Sequence, residues 1–401
     1  MLHIYKIQTP TVMKLVKKAN CIFIIILLMT AGCGGNKQSN NDLIIVDVSK
    51  SYPKKELILQ DFMDVEYIAL ETTDEFLTQG SVQDVGAEYI LVQNRINDGN
   101  IFIFDRKTGK GLRKINRQGQ GPEEYVRLNG ITLDEANGEI FVKSPANKIL
   151  VYDLYGKFKR RLNFSENISY TNIYDYDKDN LICYDMFDYY KKGEERGKSY
   201  HVIISKQDGS ITREIFIPFK TINSPIVRNE KGTIAGYLYQ IRPSHGKWIL
   251  MDSSSDTLYN YAPDGTLSPF IVRTPSAHTM EPEVFLTMGI HTDRYYFMQT
   301  IKNEFNFENG SGFDGDGLMY DKEENAIFQF TVYNDDYTEK RPVGMTSRSF
   351  NHKIEHVITL DAYRLIENYK NGQLKDGKLK EMASKLDEED NPVIMLIKHK
   401  K

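Results

Sequence analysis

One local pattern recurs along the chain and restricts its fold more than any other feature. An alternating apolar strand, a polar turn with glycine and a second alternating strand occur at Ile101–Ile115 (IFIFDRKTGKGLRKI) and Ile149–Leu162 (ILVYDLYGKFKRRL). They occur again at His201–Ile215 (HVIISKQDGSITREI) and Thr257–Ile271 (TLYNYAPDGTLSPFI). The turn glycines Gly109, Gly156, Gly209 and Gly265 are spaced by 47, 53 and 56 residues. Glycine suits such turns because it reaches positive φ without a Cβ clash. Further strand-like runs lie between these anchors, at Glu139–Lys143, Leu181–Met186, Thr233–Arg242 and Lys247–Asp252. Each repeat therefore holds about four short strands, the signature of a propeller blade. A two-sheet sandwich is the other all-β solution, but it predicts no such repeat.

Upstream, Val65–Leu70 and Tyr89–Val92 read as the earlier strands of blade one. Downstream, Arg294–Ile301 and Ala326–Tyr333 supply a fifth unit, and His352–Thr359 with Pro392–Lys398 a sixth. The expected fold is all-β, a six-bladed β-propeller over residues 43–401. Asp361–Leu386 departs from the β pattern and reads as two short helices, a C-terminal helical element. Ring closure is expected to pair Leu43–Val48 or Val65–Leu70 with a strand near the C-terminus, which removes exposed sheet edges.

The first 32 residues read as a signal peptide. Lys14, Lys17 and Lys18 precede an apolar run, Cys21–Met29, which is too short to span a membrane. Met13 is a second possible start. Thr30-Ala31-Gly32-Cys33 resembles a bacterial lipobox, with Cys33 as the lipidated residue and 33–42 as a flexible tether. Acyl chains there would anchor the domain to a membrane, placing the protein in the cell envelope, at the outer membrane. Cleavage removes four lysines and no carboxylate, leaving 47 basic against 55 acidic residues, a balance of −8. That charge gives no reason to expect nucleic acid as a partner. Cys183 is then alone, so no intrachain disulfide forms and burial must hold the core.

The chain resembles the six-bladed β-propeller lipoproteins common in the envelopes of Gram-negative gut bacteria, which are grouped with NHL-repeat-like propellers. The resemblance rests on Tyr67-Ile68-Ala69-Leu70-Glu71-Thr72-Thr73, on Phe104-Asp105 and on Gly119-Gln120-Gly121-Pro122-Glu123-Glu124-Tyr125. The ending Leu386–Ile394 is similar too. The family usually has glycine where this chain has Glu123. It brings no agreed catalytic residues.

Gly119–Tyr125 follows the outer strand of blade one and is expected to cross towards the axis. Arg117, Glu124, Tyr125 and Arg127 are therefore the candidate ligand-contact residues, set against a reading in which Glu124 pairs with an arginine and locks two blades together. Other patterns fail on their chemistry. Asp175-Tyr-Asp177-Lys-Asp179-Asn180 begins like a calcium loop, but its sixth and twelfth positions are Asn180 and Met186. His352-Lys-Ile-Glu355-His356 matches H-x-x-E-H, but on a strand those histidines stand about 13 Å apart, too far for one zinc. Gly193–Ser199 is one residue short of a P-loop. The tyrosines around blade three, from Tyr170 to Tyr190, either fill the space between blades or present a binding surface. No metal, cofactor or catalytic residue is called for. The expected role is binding or scaffolding of a peptide, glycan or envelope protein. The alternative is a metal-dependent lyase or lactonase-like hydrolase with an axial site.

Overall fold

The computed structural model describes residues 43–400 apart from Ala146. The signal peptide and tether expected over 1–42, with Cys33, lie outside the described residues. Three blades are simple four-stranded antiparallel sheets. Blade one is Ser81–Val85, Tyr89–Gln93, Asn100–Asp105 and Gly111–Asn116. Blade two is Ile131–Asp134, Glu139–Ser144, Lys148–Asp153 and Phe158–Asn163. Blade three is Tyr170–Asp175, Asn180–Asp185, His201–Ser205 and Ile211–Ile215. The repeated motif forms the third and fourth strands of each, and the same is true of blade four.

The N-terminal chain completes the other three blades from outside. Blade four (Ile241–Ser244, Lys247–Leu250, Thr257–Tyr261, Leu267–Thr274) gains Ile44–Asp47 as a parallel fifth strand. Blade five (Val284–His291, Tyr295–Lys302, Gly317–Asp321, Ala326–Asn334) gains Lys54–Ile58 in the same way. Blade six consists of Ile354–Leu360, Val393–His399 and Met63–Ala69. Its outer pair runs antiparallel in unbroken register from Met63 opposite His399 to Ala69 opposite Val393. Val65–Leu70 thus closes the ring and does not open blade one. The other closure candidate, Leu43–Val48, lies on the edge of blade four instead.

Blade six lacks a regular innermost strand. Asn351 Nδ2 donates to the Val85 carbonyl (2.6 Å) and Thr359 Oγ1 to the Gly80 carbonyl (2.7 Å), so Ile354–Leu360 runs opposite to Ser81–Val85. It therefore occupies the second-strand place, and the irregular chain at 343–350 fills the first. Thr233–Arg242, expected as one strand, is split. Its first part pairs with Ile226–Asn229 in a separate hairpin, and its end opens blade four.

Antiparallel order puts the first-to-second turn of every blade, and the third-to-fourth turn of blades one to five, on one face, here called the turn face. Crossings between blades lie on the opposite, crossover face. The helices Ala362–Lys370 and Lys378–Ala383 link the second and third positions of blade six, and so also lie towards the crossover face. They bury Leu365, Leu379 and Ala383 against Phe297 and Met319 of blade five and Met395 and Ile397 of blade six.

Blades hold together through side chains interleaved between neighbouring sheets. Leu91, Ile101 and Ile103 of blade one meet Ile131, Val142 and Leu150 of blade two, all nearly or fully buried. Each such side chain contributes about 1.5–3 kcal/mol by leaving water. The four turn glycines all have positive φ, between +72° and +87°. They also abut the preceding blade. A Cβ on Gly109 would lie 1.9 Å from the Ala69 carbonyl oxygen, and one on Gly156 would strike Ile115. The glycine repeat thus marks turn geometry and blade spacing together.

Candidate functional site

A cavity of about 900 Å³ opens on the turn face. Its wall is assembled from the first turns of five blades: Asp84–Ala87, Leu133 with Glu135 and Ala136, Tyr174–Tyr176, His245 with Trp248, and Phe350–Ile354. Asp64 and Lys398–Lys400, from the closing strand pair, complete it. Each turn sits there because the inner strand before it ends on this face. The cavity is therefore a product of ring closure and not of any one segment.

Its carboxylates are fixed by the backbone. Asp84 accepts from the amides of Val85 and Leu133, both at 2.8 Å, which links blades one and two. Burial pushes its carboxyl up to about 6. Glu135 accepts from the amides of Ala87 (2.7 Å), Glu88 (2.8 Å) and Tyr89 (3.1 Å) and so shapes the rim. Asp175 is raised by burial and opposed by Lys206 Nζ at 2.6 Å.

The other side of the cavity is aromatic and rich in imidazoles. The rings of His245 and His399 lie 3.8 Å apart, and those of His245 and His291 5.6 Å apart. His399 Nε2 is 2.8 Å from Oε1 of the fully buried Glu355. Glu355 also accepts from Ser349 Oγ (2.5 Å) and faces Arg242 at 3.7 Å. Arg242 is 1% exposed and donates to Ser349 Oγ and to the Ser347 carbonyl, which holds the irregular inner chain of blade six against blade four. Burial lowers the pKa of His245, His291 and His352 and keeps these rings neutral near pH 7. Trp248 sits between His352 (ring centroids 4.8 Å) and Tyr176 (5.8 Å). Such a wall suits a polar ligand with a flat apolar face, since aromatic rings stack while carboxylates and imidazoles set orientation. Among the described residues, no three His, Cys, Asp or Glu side chains are grouped so as to hold a metal ion.

The four residues singled out in the sequence lie between blades one and two on the crossover side, away from this cavity. Tyr125 is fully buried; it donates to the Gly99 carbonyl (2.7 Å) and accepts from the Arg117 amide (2.9 Å). It packs edge-on against Tyr152 of blade two and does not point into an axial mouth. Glu124 accepts from the Gly121 amide (2.8 Å) and, among the described residues, pairs with no arginine. Arg117 Nε instead donates to the Gly156 carbonyl (2.8 Å) and joins the two blades. Arg127 is exposed and bonds Asn129 (3.0 Å). The loop glycines serve close approach and not positive φ: a Cβ on Gly119 would lie 1.9 Å from Glu124 Oε2, and one on Gly121 3.1 Å from it.

Other motifs take ordinary places. Asp177 caps its own turn, accepting from the amides of Asp179 (2.9 Å) and Asn180 (2.8 Å). Tyr170, Tyr174, Tyr184 and Tyr189 are buried, and of that group Tyr190 is half exposed. His352 lines the cavity from the turn of blade six, whereas Glu355 is fully buried behind His399 and is not part of the lining. Reading the sequence missed Asp84, His245, Trp248 and His399. Their one signal was polar or bulky residues at the ends of otherwise apolar strands.

The closed ring and its turn-face cavity define a six-bladed β-propeller. The chain belongs to the DUF5128 family of six-bladed β-propellers, whose model matches residues 34–359. Two solved structures align with the chain at low identity, and the first shares its fold. One, from Bacteroides fragilis and described as an exported protein, is 16% identical, with TM-score 0.55 over 87% of this chain and 99% of that one. The other, a DUF4221 member from Bacteroides vulgatus, is 11% identical, with TM-score 0.46 over 85% of this chain and 99% of that one. No curated protein matches the sequence.

Proposed function

We propose that this is an exported, lipid-anchored propeller of the cell envelope that binds a peptide, a glycan or an envelope protein in its turn-face cavity. Lipid on Cys33 would hold it to the membrane, and the outer membrane fits the lipobox reading. The observation that carries the binding role is the cavity of about 900 Å³ assembled from five blades, with imidazoles and aromatic rings facing fixed carboxylates. A cavity of that size holds a ligand of several sugar or amino-acid units. The contact role first assigned to the Arg117–Arg127 loop moves to the opposite face, and the loop becomes a joint between blades.

The test uses glycan and peptide arrays probed with the soluble domain and with Ala136→Trp. Ala136 is exposed on the rim, so a bulky ring there narrows the mouth without removing a core contact. Ligands of the wild type are expected to bind the variant at least about tenfold more weakly, with unchanged melting. Ligands that bind both proteins equally would overturn the assignment of the cavity.

A further inference from the structure

A second cavity, of about 230 Å³, lies among the inner strands of blades one, two and three. Gln83, Thr132, Asn172, Tyr237, Lys143 and Arg348 are among its lining residues, and no aspartate or glutamate is. Lys143 stands on the second strand of blade two beside Phe141, Ile149 and Ile173. Among the described residues its ammonium group has no ion pair and no side-chain hydrogen bond. Arg348 stacks over Tyr174 (5.3 Å) and Phe350 (5.1 Å) and likewise makes no ion pair among the described residues. Asp84 faces Arg348 from the turn-face side, but no carboxylate in the wall opposes Lys143.

An ammonium held against apolar walls is costly to leave unpaired. Burial accordingly lowers the Lys143 pKa. The wall around it is rigid. Asn172 holds a left-handed backbone (φ +46°), its Nδ2 donates to Tyr237 Oη (2.7 Å), and its Oδ1 accepts from the Gln240 amide (2.8 Å). These contacts tie blade three to the chain entering blade four. The cavity is thus preorganised and positive, with Lys143 unopposed by any carboxylate of its wall and hydroxyl and amide groups beside the charges.

We propose that this second cavity is a binding site for a small organic anion, a carboxylate or phosphate ester, with Lys143 as its direct counter-ion and Arg348 as the second positive group. The inference goes beyond the binding role of the turn-face cavity and does not rest on it, because the linings share no residue.

The test titrates the purified protein with inorganic phosphate and with succinate, each against chloride at equal ionic strength, by calorimetry. Saturable binding of either anion is expected, weakened at least about tenfold in Lys143→Met and kept in Lys143→Arg. No saturation by either anion up to about 50 mM, or equal binding by Lys143→Met, would overturn the proposal. A measurement on the unaltered protein guards against a variant that fails to fold. Acetylation of Lys143, followed by peptide mass spectrometry, should slow saturably as phosphate or succinate is added. A rate indifferent to both anions would also overturn the proposal.

Discussion

Glu66 shows how much one side chain does at the ring seam. It stands on the closing strand and accepts from both terminal nitrogens of Arg106 (2.6 and 3.0 Å), at the turn of blade one. It also accepts from Lys398 Nζ (2.6 Å) on the partner strand. The Arg106 hydrogen bonds, more than Lys398, hold its carboxyl down from 4.5 to about 2, against the opposing effect of burial. A lowered carboxylate stabilises the fold above its unfolded value and loses that contribution as pH falls through its folded value. Glu66→Gln is therefore expected to cost about 1–2 kcal/mol at pH 7, between the values for exposed and buried pairs. It should also flatten the stability curve between pH 4.5 and 2. Urea unfolding at stepped pH measures both, and an unchanged acid slope would show that the seam does not depend on this charge. Nothing in the sequence marked Glu66, because its partners lie 40 and 332 residues away.

At the level of strands and turns, the hairpins were legible because their cues are local. Alternation gives the strand, glycine gives the turn, and both repeat. Gly109 tests whether the repeat also carries blade spacing. With φ +72° and the Ala69 carbonyl where a Cβ would go, Gly109→Ala is expected to cost about 2–4 kcal/mol. Gly138→Ala, with φ +63° but open space around it, should cost about 1–2 kcal/mol for backbone strain alone. Thermal unfolding of the two variants compares them, and equal losses would remove the close-packing argument. Strands that pair across the whole chain were harder to place. Ile44–Asp47 and Met63–Ala69 are both short strand-like runs, and such a run names no partner by itself. The cavity was not legible for the same reason. Asp84, Tyr174, Trp248 and His352 belong to four blades and meet only once the ring is formed.

For the whole molecule, the account depends on closure. The turn-face cavity takes part of its wall from Asp64 and Lys398–Lys400, at the very seam where the chain ends meet. Five buried residues of the last strand, Val393 to Ile397, pack into the cores that flank blade six. Their combined burial is on the order of 10 kcal/mol, comparable with the net stability of a domain. Opening the seam should therefore unfold the ring and not merely fray an end. Hydrogen exchange of the amides in Met63–Ala69 and Val393–His399, followed by mass spectrometry, tests this most directly. The account predicts that both segments are strongly protected and exchange together with the strands of blade one. Rapid exchange of Met63–Ala69 beside a protected Val393–His399 would contradict it.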